Sequence, residues 1–505
     1  MSAHSNQTMS KPVSISQRLG RLQFHRSGKF RVMQVADIQD GAKISKDTVA
    51  LIAAACDAIQ PDLVVFTGNQ IAGYAPEFEA TYRRRRWSAP QDGVYVPSGD
   101  GWHVVSREAG SADPILIART RALVVKQAHQ FLQPLIDRGI PFAITYGNHD
   151  FQCGLDTVEL DEIYRSFPGC LNPAAPIAAS VTGSAITSDV ADISGVLDSS
   201  NAVSAPILEA VPVSDLDKQI AYPCEPGTFA LPVTSEDGKE TAAGLVLLDS
   251  GDYAPGGGYG SPSTKAVEWL RRLPSALAAK SLVFQHFPMP QMYRLMREVP
   301  AGTAYAIQGY RSFDRRWYVL DADKTQPGGY LGEGISCPDE DSGEFAALRD
   351  SDGYIGAVAA HDHRNAYVGL EQGLMLGATP TSGFGSYGLP ASQRAVRYFE
   401  FDQRHPDKPR TVLLEFGDIA GHASSRSVYT FAMSRMPSSG DVPSARSVDF
   451  PLKVGKRRID VDRCRKAANE QQNLPRLTLM AELLTTLSDS LSIKHRRRRG
   501  SRTAK

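Results

Sequence analysis

Five apolar runs in this chain each end in residues able to hold a cation or move a proton. "FRVMQVAD" (30–37) delivers Asp37 and, two residues on, Gln39; "DLVVFTG" (62–68) delivers Asn69 and Gln70. "PFAITYGN" (141–148) leads through Asn148 into His149 and Asp150, "SLVFQHFP" (281–288) carries His286, and "YIGAVAAHDH" (354–363) ends in His361, Asp362 and His363. In open α/β sheets, ligands bind in the crevice beyond the carboxyl ends of strands, so five such tips can converge on one site. Asp, Asn and His offer oxygen and imidazole donors without thiolate, a set suited to Zn, Mn, Fe or another divalent cation. Singly, these signals are weak: "HDH" is more often a surface or core-satisfied pair, and "GNHD" more often a turn. All five in order, each after an apolar run, are hard to assign to chance.

The elements that must position these residues alternate along the chain. Helical spacing covers 45–60, with Ser45 as N-cap and Pro61 as a stop, then 115–138 and 262–278. Further strand-like runs are "GLVLLDS" (244–250), 365–370, 395–402 and 411–416. Short apolar runs separated by helices predict an α/β fold with sheet buried on both faces and later strands antiparallel. Two stretches break the pattern: 82–114, which carries "RRRRW", and the Ala/Ser/Val/Pro-rich 171–220, both expected as surface excursions. The expected organisation is an N-terminal extension (1–27), a domain spanning 28–416, and a C-terminal extension (417–505). That extension is loop-like to about 460, helical over 462–493 with a break at Pro475, and ends in the basic tail "KHRRRRGSRTAK".

Bulk properties exclude several classes. Lys plus Arg equals Asp plus Glu at 55 each, so the molecule as a whole is no electrostatic trap for nucleic acid. The runs Arg83–Arg86 and Arg496–Arg499 read as solvated faces or ends; nucleic-acid contact is expected only through the basic tail. Six dispersed cysteines without CxxC argue against a disulfide scaffold or zinc knuckle. With no apolar leader and no run of 18 apolar residues, the expectation is a soluble, cytoplasmic protein without a membrane span. "GGGYG" (256–260) lacks the Lys-Ser/Thr of a P-loop and reads as a loop beside the site. Cys153, Tyr146 and Tyr387 read first as packing residues. Oligomeric state and substrate are not legible.

Taken together, the tips resemble the calcineurin-like metallophosphoesterase family, whose pattern is DxH, GD, GNH, a lone His and GHxH. "GEGISCPDEDSGEF" (332–345), "AAHDHRNAYVG" (360–369) and "SGFGSYG" (382–388) are similar to the branch related to purple acid phosphatases and the yeast Dcr-type phosphatases. The resemblance implies a β-sandwich of mixed sheets flanked by helices, holding one or two divalent ions (Mn, Zn or Fe). It implies Asp37, Gln39 and His363 at one metal, Asn148, His286 and His361 at the other, Asn69 as the bridge, and His149 and Asp150 as catalytic groups. The implied reaction is hydrolysis of a phosphate ester by metal-activated hydroxide.

Two positions depart from that pattern: Gln39 stands for His and Asn69 for Asp. Two divalent ions ~3.5 Å apart repel by about 19 kcal/mol at an effective dielectric of ~20, an upper-range figure that a bridging carboxylate offsets in part. A neutral Asn bridges poorly, and a Gln carbonyl is a poorer transition-metal ligand than imidazole. Asp40 either supplies replacement charge or is a solvated loop acid. The reading taken is a metal-dependent phosphoesterase with an atypical ligand set; the alternative is a catalytically silent relative serving as a metal- or phosphate-binding or scaffold protein.

Overall fold

The computed structural model describes residues 14–86, 94–98, 101–105, 113–174, 208–421 and 423. The helix expected over 462–493, the basic tail and most of the 171–220 stretch lie outside the described residues.

Apolar runs become strands where the sequence places them, and alternation along each strand decides what they bury. One sheet contains β1 (Lys29–Val35), β2 (Leu63–Thr67), β3 (Phe142–Thr145), and two later strands, β12 (Ala395–Asp402) and β13 (Arg410–Glu415), in the order β13-β12-β1-β2-β3. The first three are mutually parallel and the last two antiparallel. The second sheet contains β4 (Val211–Pro212), β5 (Ile220–Glu225), β6 (Thr228–Thr234), β7 (Thr241–Leu248), β8 (Ser281–Gln285), β9 (Tyr354–Ala359), β10 (Tyr367–Glu371) and β11 (Leu374–Ala378). Its order is β10-β11-β9-β8-β7-β6-β5-β4, with β7, β8, β9 and β11 parallel.

Val32, Leu63 and Val65 face the second sheet and meet Leu245, Leu282, Phe284 and Phe399 in one core. Their neighbours Met33, Val64 and Phe66 face outward, where α1 (Lys46–Ile59) and α2 (Pro114–Ile136) cover them. On the far side, Val246 and Val283 pack against α4 (Thr264–Leu277), which presents Ala266, Trp269, Leu270, Leu273 and Leu277 at helical spacing. The result is two mixed sheets face to face with helices outside, as the sequence predicted.

The helices start where side chains can satisfy free backbone N–H groups. Ser45, Asp113 and Ser263 each accept a first-turn N–H, and Asp156 with Glu159 forms a capping box on α3 (Thr157–Arg165). The 82–114 stretch contains an antiparallel hairpin, Val94–Ser98 with Gly101–Val105. Among the described residues, no helix is long and apolar enough to cross a membrane.

Candidate functional site at the strand tips

Because the central strands of both sheets are parallel, their carboxyl ends share one rim. The chain is bent sharply there: Asp37, Gln39, Asn69 and His361 all have φ between 42° and 67°. This left-handed region costs a non-glycine residue about 1 kcal/mol or more, and such strain concentrates at functional sites. Gly68 and Gly147 are required for the close approach. A Cβ on Gly68 would lie 2.6 Å from His286 Nδ1, and one on Gly147 would lie 2.4 Å from Asn69 Oδ1. After β11 the chain crosses to the first sheet, where Ser382 N donates to Ala36 O at 2.7 Å.

The tips do converge. Asn69 Nδ2 lies 3.0 Å from Asp37 Oδ1, 3.3 Å from Asn148 Oδ1 and 3.0 Å from His286 Nε2. The carboxamide orientation is fixed from its other end, since His149 N donates to Asn69 Oδ1 at 2.9 Å. His286 donates its Nδ1 proton to Thr67 O (2.9 Å), which leaves Nε2 to accept from Asn69. His361 N donates to Asp37 Oδ2, His361 Nδ1 lies 3.2 Å from His286 Nε2, and His363 Nε2 lies 3.4 Å from Asp37 Oδ1. Burial works against the Asp37 charge, but His363, His286 and His361 outweigh it and hold the carboxyl well below its usual range. Burial, partly offset by Asp37, keeps His286 and His361 below the ordinary imidazole value.

This arrangement corrects the expected metal centre. Among the described residues, no group of three or more His, Cys, Asp and Glu side chains is placed to hold a metal ion. The physical reason is visible at Asn69: its two amide protons are shared by Asp37, Asn148 and His286, so a neutral donor stands among acceptors that a cation would have to gather. Gln39 adds no charge; its Nε2 donates to Tyr74 OH at 3.0 Å, and its buried Oε1 has no hydrogen-bond partner. The expected Mn, Zn or Fe, one ion or two, does not fit these residues. The metal-dependent hydrolase reading falls with it.

Asp40 does not supply replacement charge. Its Oδ2 accepts from Ser45 N and Thr48 Oγ1, both at 2.8 Å, which ties it to the start of α1. Asp150 is likewise turned to backbone: Oδ2 accepts from Asn69 N and Gly147 N, Oδ1 from Ile71 N, and burial pushes its carboxyl up to about 7. It joins the second and third tips. His149 borders the cluster, with Nδ1 on Gln152 Oε1 and its ring edge-on to Tyr74 at 4.8 Å. Asp362 accepts from Ser336 N and Asn365 Nδ2 and packs the 332–336 loop.

Aromatic residues that the strand-end pattern does not reveal close the site. Tyr259, from "GGGYG", packs 4.4 Å from His361, and Phe287 lies 4.8 Å from the same ring. Tyr253 stacks on Tyr259, and its hydroxyl takes a hydrogen bond from Asn148 Nδ2 at 2.6 Å. Tyr387 stacks on His363 at 4.2 Å with the rings nearly parallel. Tyr146 is fully buried and donates to Asp161, and burial pushes the Cys153 thiol up to about 12; both are packing groups as expected. In the Arg83–Arg86 run Arg84 is exposed, whereas Arg85 and Arg86 turn toward the site. Arg85 lies 3.6 Å over the Tyr253 ring, and Arg86 Nη1 pairs with Asp249 Oδ2 at 2.6 Å. Arg364 lies 5.3 Å over Tyr387.

No protein-family model matches the chain. Over 398 residues it is 20% identical to a protein of Arabidopsis thaliana named "Probable inactive purple acid phosphatase 14", covering 75% of this chain and 77% of that one. Among solved structures, a dimetal phosphatase from Danio rerio overlays with a TM-score of 0.35 at 10% identity, over 76% of this chain and 98% of the other. GAP50, described as the anchor in the inner membrane complex of Plasmodium, overlays with a TM-score of 0.35 at 10% identity, over 79% of this chain and 87% of that one. Overlays at this TM-score carry no argument. The weak likeness to the curated relative agrees with the resemblance of the strand-end residues to the calcineurin-like metallophosphoesterases and singles out no branch of them.

Proposed function

We propose that this chain is a catalytically silent relative of the calcineurin-like metallophosphoesterases, on the branch related to purple acid phosphatases, that binds a phosphate-bearing compound at its strand tips as a sensor or scaffold. The observation that carries the reading is the Asn69 carboxamide, whose amide protons occupy the acceptors of Asp37, Asn148 and His286. The word "inactive" in the name of the curated relative is in keeping with it. The branch rests on the 332–345, 360–369 and 382–388 loop sequences.

What remains at the rim is a recognition surface. Arg85 and Arg364 sit on the two tyrosines, Tyr253 and Tyr387, that contact Asn148 and His363. A guanidinium held on an aromatic face is positioned with little loss of side-chain freedom and matches phosphate oxygens in bidentate fashion. His149 and the tyrosine hydroxyls add neutral hydrogen-bonding groups beside them.

Calorimetric titration with inorganic phosphate, nucleoside monophosphates and a phosphoserine peptide tests binding, alongside an aryl-phosphate turnover assay. Binding without turnover, weakened about tenfold by Arg85→Ala or Arg364→Ala, is expected. The Gln39→His/Asn69→Asp double variant is expected to gain turnover when Mn or Zn is supplied. Turnover by the unaltered chain that disappears in His361→Ala would overturn the silent reading, and no response to any phosphate compound would overturn the recognition role.

A further inference from the structure

Behind the histidine tips, on the outer side of the eight-stranded sheet, lies a recess of ≈ 250 Å³ counted with its mouth. Its polar lining includes Ser250, Ser261, Gln285, Glu340, Asp341 and Glu344, prolines frame much of the rest, and none of its lining residues is Lys, Arg or His. Alternation along β8 explains its depth. Phe284 points between the sheets, so Gln285 points outward under the start of the short helix Glu344–Asp350.

Two of these side chains, which hydrogen-bond each other, are buried with one oxygen each left over. Glu344 is 3% exposed and Gln285 1% exposed, and neither Glu344 Oε1 nor Gln285 Oε1 has a hydrogen-bond partner. Next to them, Gln291 donates its Nε2 to Asp341 Oδ2 at 2.6 Å and leaves its own buried Oε1 unpartnered as well. The Gln285 and Gln291 orphans are acceptors, Glu344 Oε1 becomes one when its carboxyl is ionised, and leaving such groups unpartnered in the interior is unfavourable. Acceptors converging with no cation in the lining call for a positively charged donor.

We infer that this recess binds a primary ammonium group, from a lysine side chain of a partner protein or a free alkylamine, with Glu344 as counter-ion and Gln285 Oε1 as second acceptor. The inner space has room for about one water-sized group, the size of an ammonium head. Three N–H donors match the two orphan acceptors plus one of the lining hydroxyls or carboxylates, whereas a planar guanidinium is too wide. A divalent ion is disfavoured because the lining carboxylates are not gathered: no group of three metal-ligating side chains is placed to hold a cation among the described residues. Burial pushes the Glu344 carboxyl up to about 8, and a bound ammonium compensates the charge that burial disfavours. The recess is independent of the phosphate reading but adjoins the tips: Gln285 Nε2 donates to Phe287 O at 2.8 Å, and the Phe287 ring packs on His361.

The test titrates the purified full chain with n-butylammonium chloride and with a peptide acetylated at its N-terminus and carrying one unmodified lysine side chain, using sodium and tetramethylammonium chlorides as matched controls. Saturable binding is expected for butylammonium and the peptide alone, weakened about tenfold or more by Glu344→Gln, an isosteric change that keeps the packing. Gln285→Met removes the second acceptor and is expected to weaken binding about threefold. Tighter binding of the peptide than of butylammonium assigns the site to a protein partner, and the reverse assigns it to a free amine. Equal affinity in Glu344→Gln, equal responses to tetramethylammonium, or preference for Ca over ammonium would each overturn the inference.

Discussion

At Asn69 the exchange of one carboxylate oxygen for an amide nitrogen decides what the strand tips can do. An aspartate there would set a second carboxylate about 3.0 Å from Asp37 Oδ1, where the amide now donates a proton. Two negative charges at that distance repel by about 5 kcal/mol at an effective dielectric of ~20, before the groups relax or one takes up a proton. Asn69→Asp is therefore expected to lower unfolding free energy by about 2–4 kcal/mol near neutral pH, measured by urea denaturation. Adding Asp37→Asn should return most of the loss; equal stability of Asn69→Asp and the unaltered chain would remove Asn69 from the centre of the network. Glu344 makes the opposite kind of statement. Its folded carboxyl titrates at about 8 against an ordinary 4.5, so between those values the unfolded state has lost a proton that the folded state keeps. Stability from this group is complete below about pH 4.5 and declines as pH rises toward 8, by about 3–5 kcal/mol in all. Glu344→Gln is expected to flatten that decline, read as the difference between denaturation midpoints at pH 5 and pH 8. Parallel profiles for the two proteins would show that Glu344 does not titrate in this way.

Elements carry the tips, and they were legible in the sequence to different depths. The runs at 30–37, 62–68, 141–148, 281–288 and 354–363 became strands because they are apolar, short and bounded by turn residues, features set by local chemistry. Ser45, Pro61 and the apolar spacing of 262–278 marked helices for the same reason. The strand Leu374–Ala378 was not foreseen: five residues that follow Gly373 and contain Gly377 resemble a loop until β9 supplies a parallel edge to pair with. The hairpin of Ile220–Glu225 and Thr228–Thr234 was hidden by its prolines and by the Ala/Ser/Val/Pro-rich composition of the stretch before it. At the site, residue type revealed which groups meet, but not that they satisfy one another. That closure depends on Tyr253 and Tyr259, more than 100 residues away from Asn148 in sequence, and on the inward turn of Arg85 and Arg86. The fate of Asp40 was closer to hand, since its partners Ser45 and Thr48 are five and eight residues on. The tip geometry also rests on glycine. Gly68 has φ 90°, and an added Cβ would meet Gly147 N at 2.7 Å as well as the His286 ring. Gly68→Ala is expected to cost about 2–4 kcal/mol by thermal or urea unfolding and to shift the His286 ring resonances. An unperturbed His286 spectrum would mean that the second and fourth tips do not depend on this contact.

For the whole molecule, the packing of one sheet on the other sets the register in which five tips meet. Asp37, Asn69 and Asn148 leave the first sheet, and His286 and His361 leave the second, so every hydrogen bond between these sets crosses the seam between layers. Phe284 sits in that seam two residues before His286, edge-on to Phe399 with ring centroids 5.4 Å apart, and neither ring is exposed. Phe284→Ala would leave a cavity between the sheets and is expected to cost about 3–5 kcal/mol, measured by urea unfolding. Because the seam and the tips are joined through β8, the same change should also speed backbone amide exchange at Asn69, His149 and His361, whose contacts reach across it or rest on groups that do. A control cavity on the outer face, Leu273→Ala in α4, should cost about 2–5 kcal/mol without that selective effect on the tips, because it thins the helix layer and leaves the sheet-to-sheet contact intact. If both variants accelerated exchange at the tips to the same extent, general loss of stability would account for the change and the seam would have no special part in holding the site. Selective acceleration in Phe284→Ala would show that the geometry around Asn69 is a property of how two layers stack, beyond what any single tip contributes.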